Sequence, residues 1–147
     1  PKLDNAKTIS IRMQGGAMGN LSKANLDGVE KDFRTLATED KKLWAFNKEI
    51  GSYEYLLATV KLNQVVILDV WNDTRWPHSM HLHGNHFFVK SQEFKGNKDY
   101  ILRDTYLMQA GEKAKLIFVA DNPGKWLFHC HMLEHAASGM VSYIHVV

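Results

Sequence analysis

The sequence predicts an all-β protein, a sandwich of short antiparallel strands. Two observations carry this. Alternating or apolar runs rich in Val, Ile, Leu and aromatics recur along the chain, and turn signals separate them at intervals of roughly 8 to 12 residues. One run, Val65 to Trp71, is almost continuously apolar and strand-forming, as expected of a strand covered on both faces. At 147 residues the chain has the length of a single domain with a core of its own.

In chain order, Thr8 to Met13 alternates and reads as the opening strand, and the glycine-rich Gln14 to Asn20 reads as a loop. Met13 and Met18 are expected to fill packing gaps, with a methionine-lined path for Cu(I) as the sharper reading. Asp27 to Asp40 carries Val29, Phe33, Leu36 and Ala37 at helical spacing among charges, which predicts one short surface helix. Strands follow at Leu43 to Asn47, Tyr53 to Val60 and Val65 to Trp71, and Asn72 to Arg75 reads as a turn. Asp73 in that turn is expected to serve it, with a substrate contact as the sharper reading. The next strand is His86 to Gln92, then a polar hairpin around Lys95 to Lys98, a strand from Lys113 to Ala120, and a closing strand from Val141 to Val147. No repeat or low-complexity segment interrupts this order.

The chemistry is concentrated in Trp126 to Met140, which contains His129, Cys130, His131, His135 and Met140, and in Trp76 to Gly84, which contains His78, His81 and His83. Successive side chains of a strand point to opposite faces. If Trp126 to His131 is extended, His129 and His131 share one face and Cys130 takes the other. The upstream stretch has the same parity, with His81 and His83 opposed to His78. One face then offers His78 and Cys130, completed by His135 and Met140 beyond the strand. Two imidazoles, a thiolate and a weak axial thioether form the ligand set of a blue copper electron-transfer centre. The other face offers His81, His83, His129 and His131, a set without thiolate that suits copper meeting dioxygen. Zinc also accepts cysteine with histidines, but it has no use for the axial methionine or for the second face. Of the eight histidines, His86 and His145 are left to surface or packing roles.

These two stretches resemble the copper signatures in the last domain of the multicopper oxidases, a family that includes laccases, ascorbate oxidase, cuprous oxidases and bacterial copper-resistance oxidases. Trp44 to Asn47 and Arg103 to Thr105 add weaker echoes, and a local hydrogen-bonding role is expected for Asp104. The resemblance implies a cupredoxin-like Greek-key β-sandwich, a plastocyanin-like C-terminal domain over residues 1–147, and laccase-like oxidase chemistry in a longer protein. It implies that His78, Cys130, His135 and Met140 hold a type 1 copper, that His81 binds the type 2 copper, and that His83, His129 and His131 bind the type 3 pair. Those four histidines are half of the set that such a trinuclear cluster takes. Four more would come from an N-terminal cupredoxin domain or a neighbouring subunit. Cys130, with His129 and His131, would carry electrons between the sites.

The departures are local. Ser79 stands where many relatives place proline, Asn85 and His86 replace a histidine found two residues after the third one, and Ala136 stands where some bacterial members place a glutamate thought to relay protons. A proton path would then use another acid, such as Glu134 or one from a different domain.

Net charge of +2, from 18 basic and 16 acidic residues, speaks against an electrostatic nucleic-acid partner. No apolar run is long enough to span a membrane, and the chain, which begins at Pro1, reads as a C-terminal piece of a longer protein. A single cysteine allows no internal disulfide; a periplasmic or otherwise extracytoplasmic location is implied by the family alone. Relatives with this copper core oxidise phenols, aryl amines, Cu(I), Fe(II) or Mn(II), the choice resting on loops around the core. Two rivals remain at this stage: a stand-alone blue-copper electron-transfer or copper-binding module, and a nitrite-reductase-like copper protein. The second normally lacks a histidine directly after the cysteine, so His131 speaks against it. The four-histidine face speaks against the first.

Overall fold

A computed structural model describes residues 3–91 and 99–147. In chain order its elements are β1 (Lys7–Gly15), β2 (Lys23–Leu26), β3 (Val29–Asp32), α1 (Phe33–Thr38), β4 (Trp44–Phe46), β5 (Leu56–Val60), β6 (Val65–Asp73), β7 (His78–Leu82), β8 (Phe87–Ser91), β9 (Asp99–Arg103), β10 (Thr105–Met108), β11 (Lys113–Val119), β12 (Gly124–Cys130), α2 (Leu133–Ala137) and β13 (Val141–Val146). The expected polar hairpin around Lys95 to Lys98 lies outside the described residues.

Two sheets enclose the core. One runs β4-β1-β6-β11-β8-β9 and the other β10-β7-β12-β13-β5. β6 lies between β1 and β11 in the first sheet; Val66, Leu68 and Val70 are buried on its core face, while Val65, Asp69 and Trp71 on the other face are only half-buried, so it is not covered on both faces as expected. Alternate residues from both sheets meet between them, with Phe46, Leu68, Leu82, Leu116 and Phe128 almost fully buried. Burying side chains of this size contributes about 1.5–3 kcal/mol each. The sandwich is mixed and not purely antiparallel, because β1 runs parallel to β6 and β13 parallel to β5.

The helix expected over Asp27 to Asp40 is shorter and begins later. Residues 27–32 are instead the turn and second strand of a β2–β3 hairpin, closed by Asp27 and Gly28, both at positive φ (51° and 82°). An Asp-Gly pair is a strong two-residue hairpin signal, and it overrides the helical spacing of Val29, whose side chain is exposed. The helix α1 begins where Asp32 caps it, its carboxylate accepting from the Thr35 N–H at 2.8 Å. Leu36 is its buried residue and packs with Leu21, Ala24, Ala45 and Ile50 in a small second cluster. A second helix, α2, forms where the sequence suggested only a turn after the cysteine strand. The stretch Asn72 to Arg75 is also different, since β6 continues through Asp73. Met13 is fully buried in the core, whereas Met18 is largely exposed at φ 61°.

Candidate metal centre

The strands β7 and β12 pair antiparallel with His129 opposite His81, Cys130 opposite Met80 and Phe128 opposite Leu82. This register separates the histidines as period two requires. His78 and Cys130 project into the core and are almost completely buried. His81, His83 and His129 share the other face of the sheet. His131, one residue beyond β12, joins them with its ring stacked on His129 at 6.4 Å between centroids.

On the core side, three ligand atoms converge. His78 Nδ1 lies 3.1 Å from His135 Nδ1, and Cys130 Sγ lies 3.7 Å from the first and 3.6 Å from the second. A point equidistant from all three is about 2 Å from each, within the range of a transition-metal bond to imidazole or thiolate, ~2.0–2.3 Å. Among the described residues, this trio is the group of cysteine, histidine and carboxylate side chains able to hold a metal ion together. His135 reaches it because α2 turns the chain back immediately after the strand, with the His135 N–H donating to the Met132 carbonyl. Met140 is fully buried in the same core, and its backbone ties the site: its carbonyl accepts from the Cys130 N–H at 3.1 Å and its N–H donates to the His135 carbonyl at 3.0 Å. From the opposite sheet, Trp44 closes the site, its ring 4.5 Å from that of His78 and 4.8 Å from that of His135.

The electrostatics favour a cation. Burial pushes the Cys130 thiol up, although backbone N–H groups of Met132 and Ser79 hydrogen-bond the sulfur and oppose that rise. Burial, aided by the neighbouring His135, drives His78 down to about 3, and burial also lowers His135. Both imidazoles are therefore neutral and ready to donate a lone pair, and a bound cation would compensate the buried thiolate. A soft thiolate beside two imidazoles fits copper by donor type.

On the outer face, His83 Nε2 lies 2.9 Å from His129 Nε2, and the His81 ring centroid is 4.7 Å from that of His83 and 5.6 Å from those of His129 and His131. The other ring nitrogens are held by the chain. His81 Nδ1 lies 2.9 Å from the Asp104 carbonyl oxygen and His129 Nδ1 lies 2.7 Å from that of Cys130. A carbonyl only accepts, so each Nδ1 carries the proton and each Nε2 keeps its lone pair for a ligand. Asp104 thus plays the local role expected of it, its carboxylate also accepting from the Thr105 hydroxyl at 2.8 Å.

The sequence model of the multicopper oxidases matches residues 26–147. The chain belongs to the multicopper oxidase family. It is 30% identical over 156 aligned positions, or 98% of its length, to the multicopper oxidase mco of Staphylococcus haemolyticus, and 37% identical over 97 positions, 56% of its length, to the iron multicopper oxidase fer1 of Mycosarcoma maydis. It spans 33% and 15% of those two proteins. The solved multicopper oxidase from Campylobacter jejuni, described as a metallo-oxidase, shares its fold over 99% of this chain and 31% of that one, with a TM-score of 0.74 at 23% identity. The cupredoxin-like sandwich expected from the sequence is thereby borne out.

Elsewhere, Asp73 serves no turn: its carboxylate pairs with Arg12, the guanidinium Nη2 donating at 2.6 Å. His86 is exposed and His145 partly so. Trp44 and Thr74 contact the core-side trio, and Asn72 bonds Thr74 behind it. In the sequence Trp44 carries only a resemblance, and Asn72 and Thr74 only a turn signal.

Proposed function

We propose that this chain is the copper-binding, electron-accepting domain of a multicopper oxidase, and that it is completed as an oxidase by another domain or chain. His78, Cys130, His135 and Met140 would hold the type 1 copper; His81 would bind the type 2 copper, and His83, His129 and His131 the type 3 pair. When bound, copper would supply one-electron transfer from a reducing substrate at the core site and, with four further histidines at the outer face, the four-electron, four-proton reduction of dioxygen to two waters.

The observation that carries this reading is the convergence of His78 Nδ1, Cys130 Sγ and His135 Nδ1 on one side of β12, with a histidine cluster on the other side of the same strand. Cys130 is common to both. Its sulfur faces the core, while its carbonyl accepts from the Nδ1–H of His129 at 2.7 Å. Two routes of a few bonds therefore leave the thiolate for the outer face: the main chain to His129 and His131, and the shortcut through that hydrogen bond. A carrier needs the first site alone. The ordered outer histidines favour the oxidase.

Met132 and Leu133 are exposed beside half-buried His135 and border the edge at which a small reductant approaches. On this reading the protein works outside the cytoplasm, a location that the family's resemblance supports; no described helix is long and apolar enough to cross a membrane.

The test is to load the full chain with Cu(II) and record its visible and electron paramagnetic resonance spectra. An intense blue band with narrow copper hyperfine splitting, abolished in Cys130→Ser, is expected. The chain alone should not turn over, and a chain holding two His-x-His pairs should restore oxygen consumption. Oxidase activity without any partner would refute the shared cluster, and a colourless copper-loaded chain would refute the type 1 assignment.

A further inference from the structure

One polar network in the core leads to the metal-facing trio and has no part in the chemistry described so far. Asn72, Thr74 and His78 are each at least nine-tenths buried. Asn72 Nδ2 donates to the carbonyls of Trp76 at 2.8 Å and Gln109 at 2.9 Å. Those oxygens only accept, so the amide has one orientation, with Oδ1 turned to Thr74. Thr74 Oγ1 lies 2.7 Å from Asn72 Oδ1 and 3.0 Å from the Trp76 carbonyl. Asn72 Oδ1 has no other donor among the described residues, so the single hydroxyl proton goes to it. The hydroxyl oxygen then has only lone pairs left to offer His78 Nε2, 3.0 Å away.

The polarity of the chain is therefore settled from one end to the other. His78 carries its proton on Nε2 and donates it to Thr74, which leaves the lone pair on Nδ1, the nitrogen facing Cys130 Sγ and His135 Nδ1. His135 has no such anchor: among the described residues its Nε2 meets no hydrogen-bond partner. The two imidazoles of the trio are thus held differently, one locked from within the core and one free at the edge.

We propose that the Asn72–Thr74 pair is a positioning device for the metal: it locks His78 in its metal-binding tautomer and raises the donor strength of Nδ1, and so sets how strongly the site prefers Cu(II) over Cu(I). The inference rests on the type 1 reading above. Outer partners of this kind typically account for 10–100-fold in metal affinity. An imidazole whose N–H is hydrogen-bonded is the better donor, and the more highly charged ion gains more from it.

The experiment compares the full chain with Thr74→Val, which removes the hydroxyl with little change of shape, and Thr74→Ser, which keeps it. Cu(II) and Cu(I) affinities are measured by competition titration, and the reduction potential by redox titration. Thr74→Val should bind Cu(II) about 10-fold more weakly with Cu(I) affinity nearly unchanged, and its potential should rise by the corresponding ~59 mV. Thr74→Ser should return both towards the parent values. A folded Thr74→Val with parental affinity and potential would overturn the proposal.

A measurement on the unmutated chain guards against a variant that does not fold. In the Cu(I)-loaded chain with nitrogen-labelled histidine, the His78 proton should sit on Nε2 and exchange slowly with solvent. Fast exchange would overturn the lock. Copper binding that is the same in Cys130→Ser as in the parent would instead refute the type 1 reading itself.

Discussion

Acidifying the metal-free protein gives a demanding test, because His78 is fully buried among Trp44, Thr74, Cys130 and His135. In the unfolded chain it titrates near 6.5; in the folded protein burial holds it neutral down to about 3. Above 6.5 neither state is charged at this group, and it contributes no pH dependence. Below 6.5 the unfolded state binds a proton that the folded state refuses, so stability falls by about 1.4 kcal/mol per pH unit until the folded group also titrates. Across the whole window the loss is about 5 kcal/mol, comparable with the total stability of a small domain, ~5–15 kcal/mol. His83, His129 and His135 are lowered by burial as well and act in the same direction. Urea unfolding followed by tryptophan fluorescence, with chelator and reductant present, isolates the His78 share when the parent is compared with His78→Gln. Between pH 6 and pH 4 the parent should lose roughly 3 kcal/mol more than the variant. Parallel curves over that range would show that His78 is charged, or solvated, in the folded state, and the packing described for it would be wrong.

Other outcomes are expected from single substitutions. Gly139→Ala should destabilise the chain by at least about 2 kcal/mol and weaken copper binding, because Gly139 has φ 120° and a Cβ there would sit 2.2 Å from the Trp44 carbonyl oxygen; denaturant midpoints and copper titration check both. Phe128→Ala, at a fully buried ring between the sheets, should cost about 3–5 kcal/mol in thermal or urea unfolding. Glu112→Gln should cost about 1.5–3 kcal/mol, since the buried carboxylate accepts from the Tyr106 hydroxyl at 2.6 Å and the Gln109 N–H at 2.9 Å; the same unfolding assay reads it. Asp73→Asn should lower stability by only about 1 kcal/mol and leave the copper spectrum unchanged, because its carboxylate is committed to half-exposed Arg12.

The parity of the two histidine stretches was legible because a strand has a period of two whatever surrounds it. His78 and Cys130 could be assigned to one face, and His81, His83 and His129 to the other, before any contact was known. Most of the longer strands were legible too, Lys7–Gly15 and Val141–Val146 from alternation and Val65–Asp73 from its apolar run, whereas β2, β3 and β9 were not. The hairpin at Asp27-Gly28 was written in the sequence as well, but helical spacing over the next residues competed with it, and turn chemistry prevailed over periodicity. What the sequence did not disclose depends on side chains meeting from distant elements. Trp44 is 34 residues from His78 and reaches it only because β4 lies at the edge of the opposing sheet. Thr74 is four residues from His78, yet the spacing says nothing of a hydrogen bond until β6 and β7 have turned the two side chains inward. The short helix α2 gave no periodic signal, since one turn is too brief to show any.

The two faces of β12 differ in how far this chain alone encloses them. In the core, protein atoms surround the trio: the opposite sheet supplies Trp44, and Asn72 and Thr74 supply the hydrogen-bond anchor. On the outer face, His81 and His129 are anchored through Nδ1, and His131 is exposed. His129 is itself buried, with its Nε2 2.9 Å from that of His83, and burial lowers the affinity of both imidazoles for a proton. On the function proposed above, the core site is complete as folded, whereas the outer one is half of a shell that another domain or chain would complete.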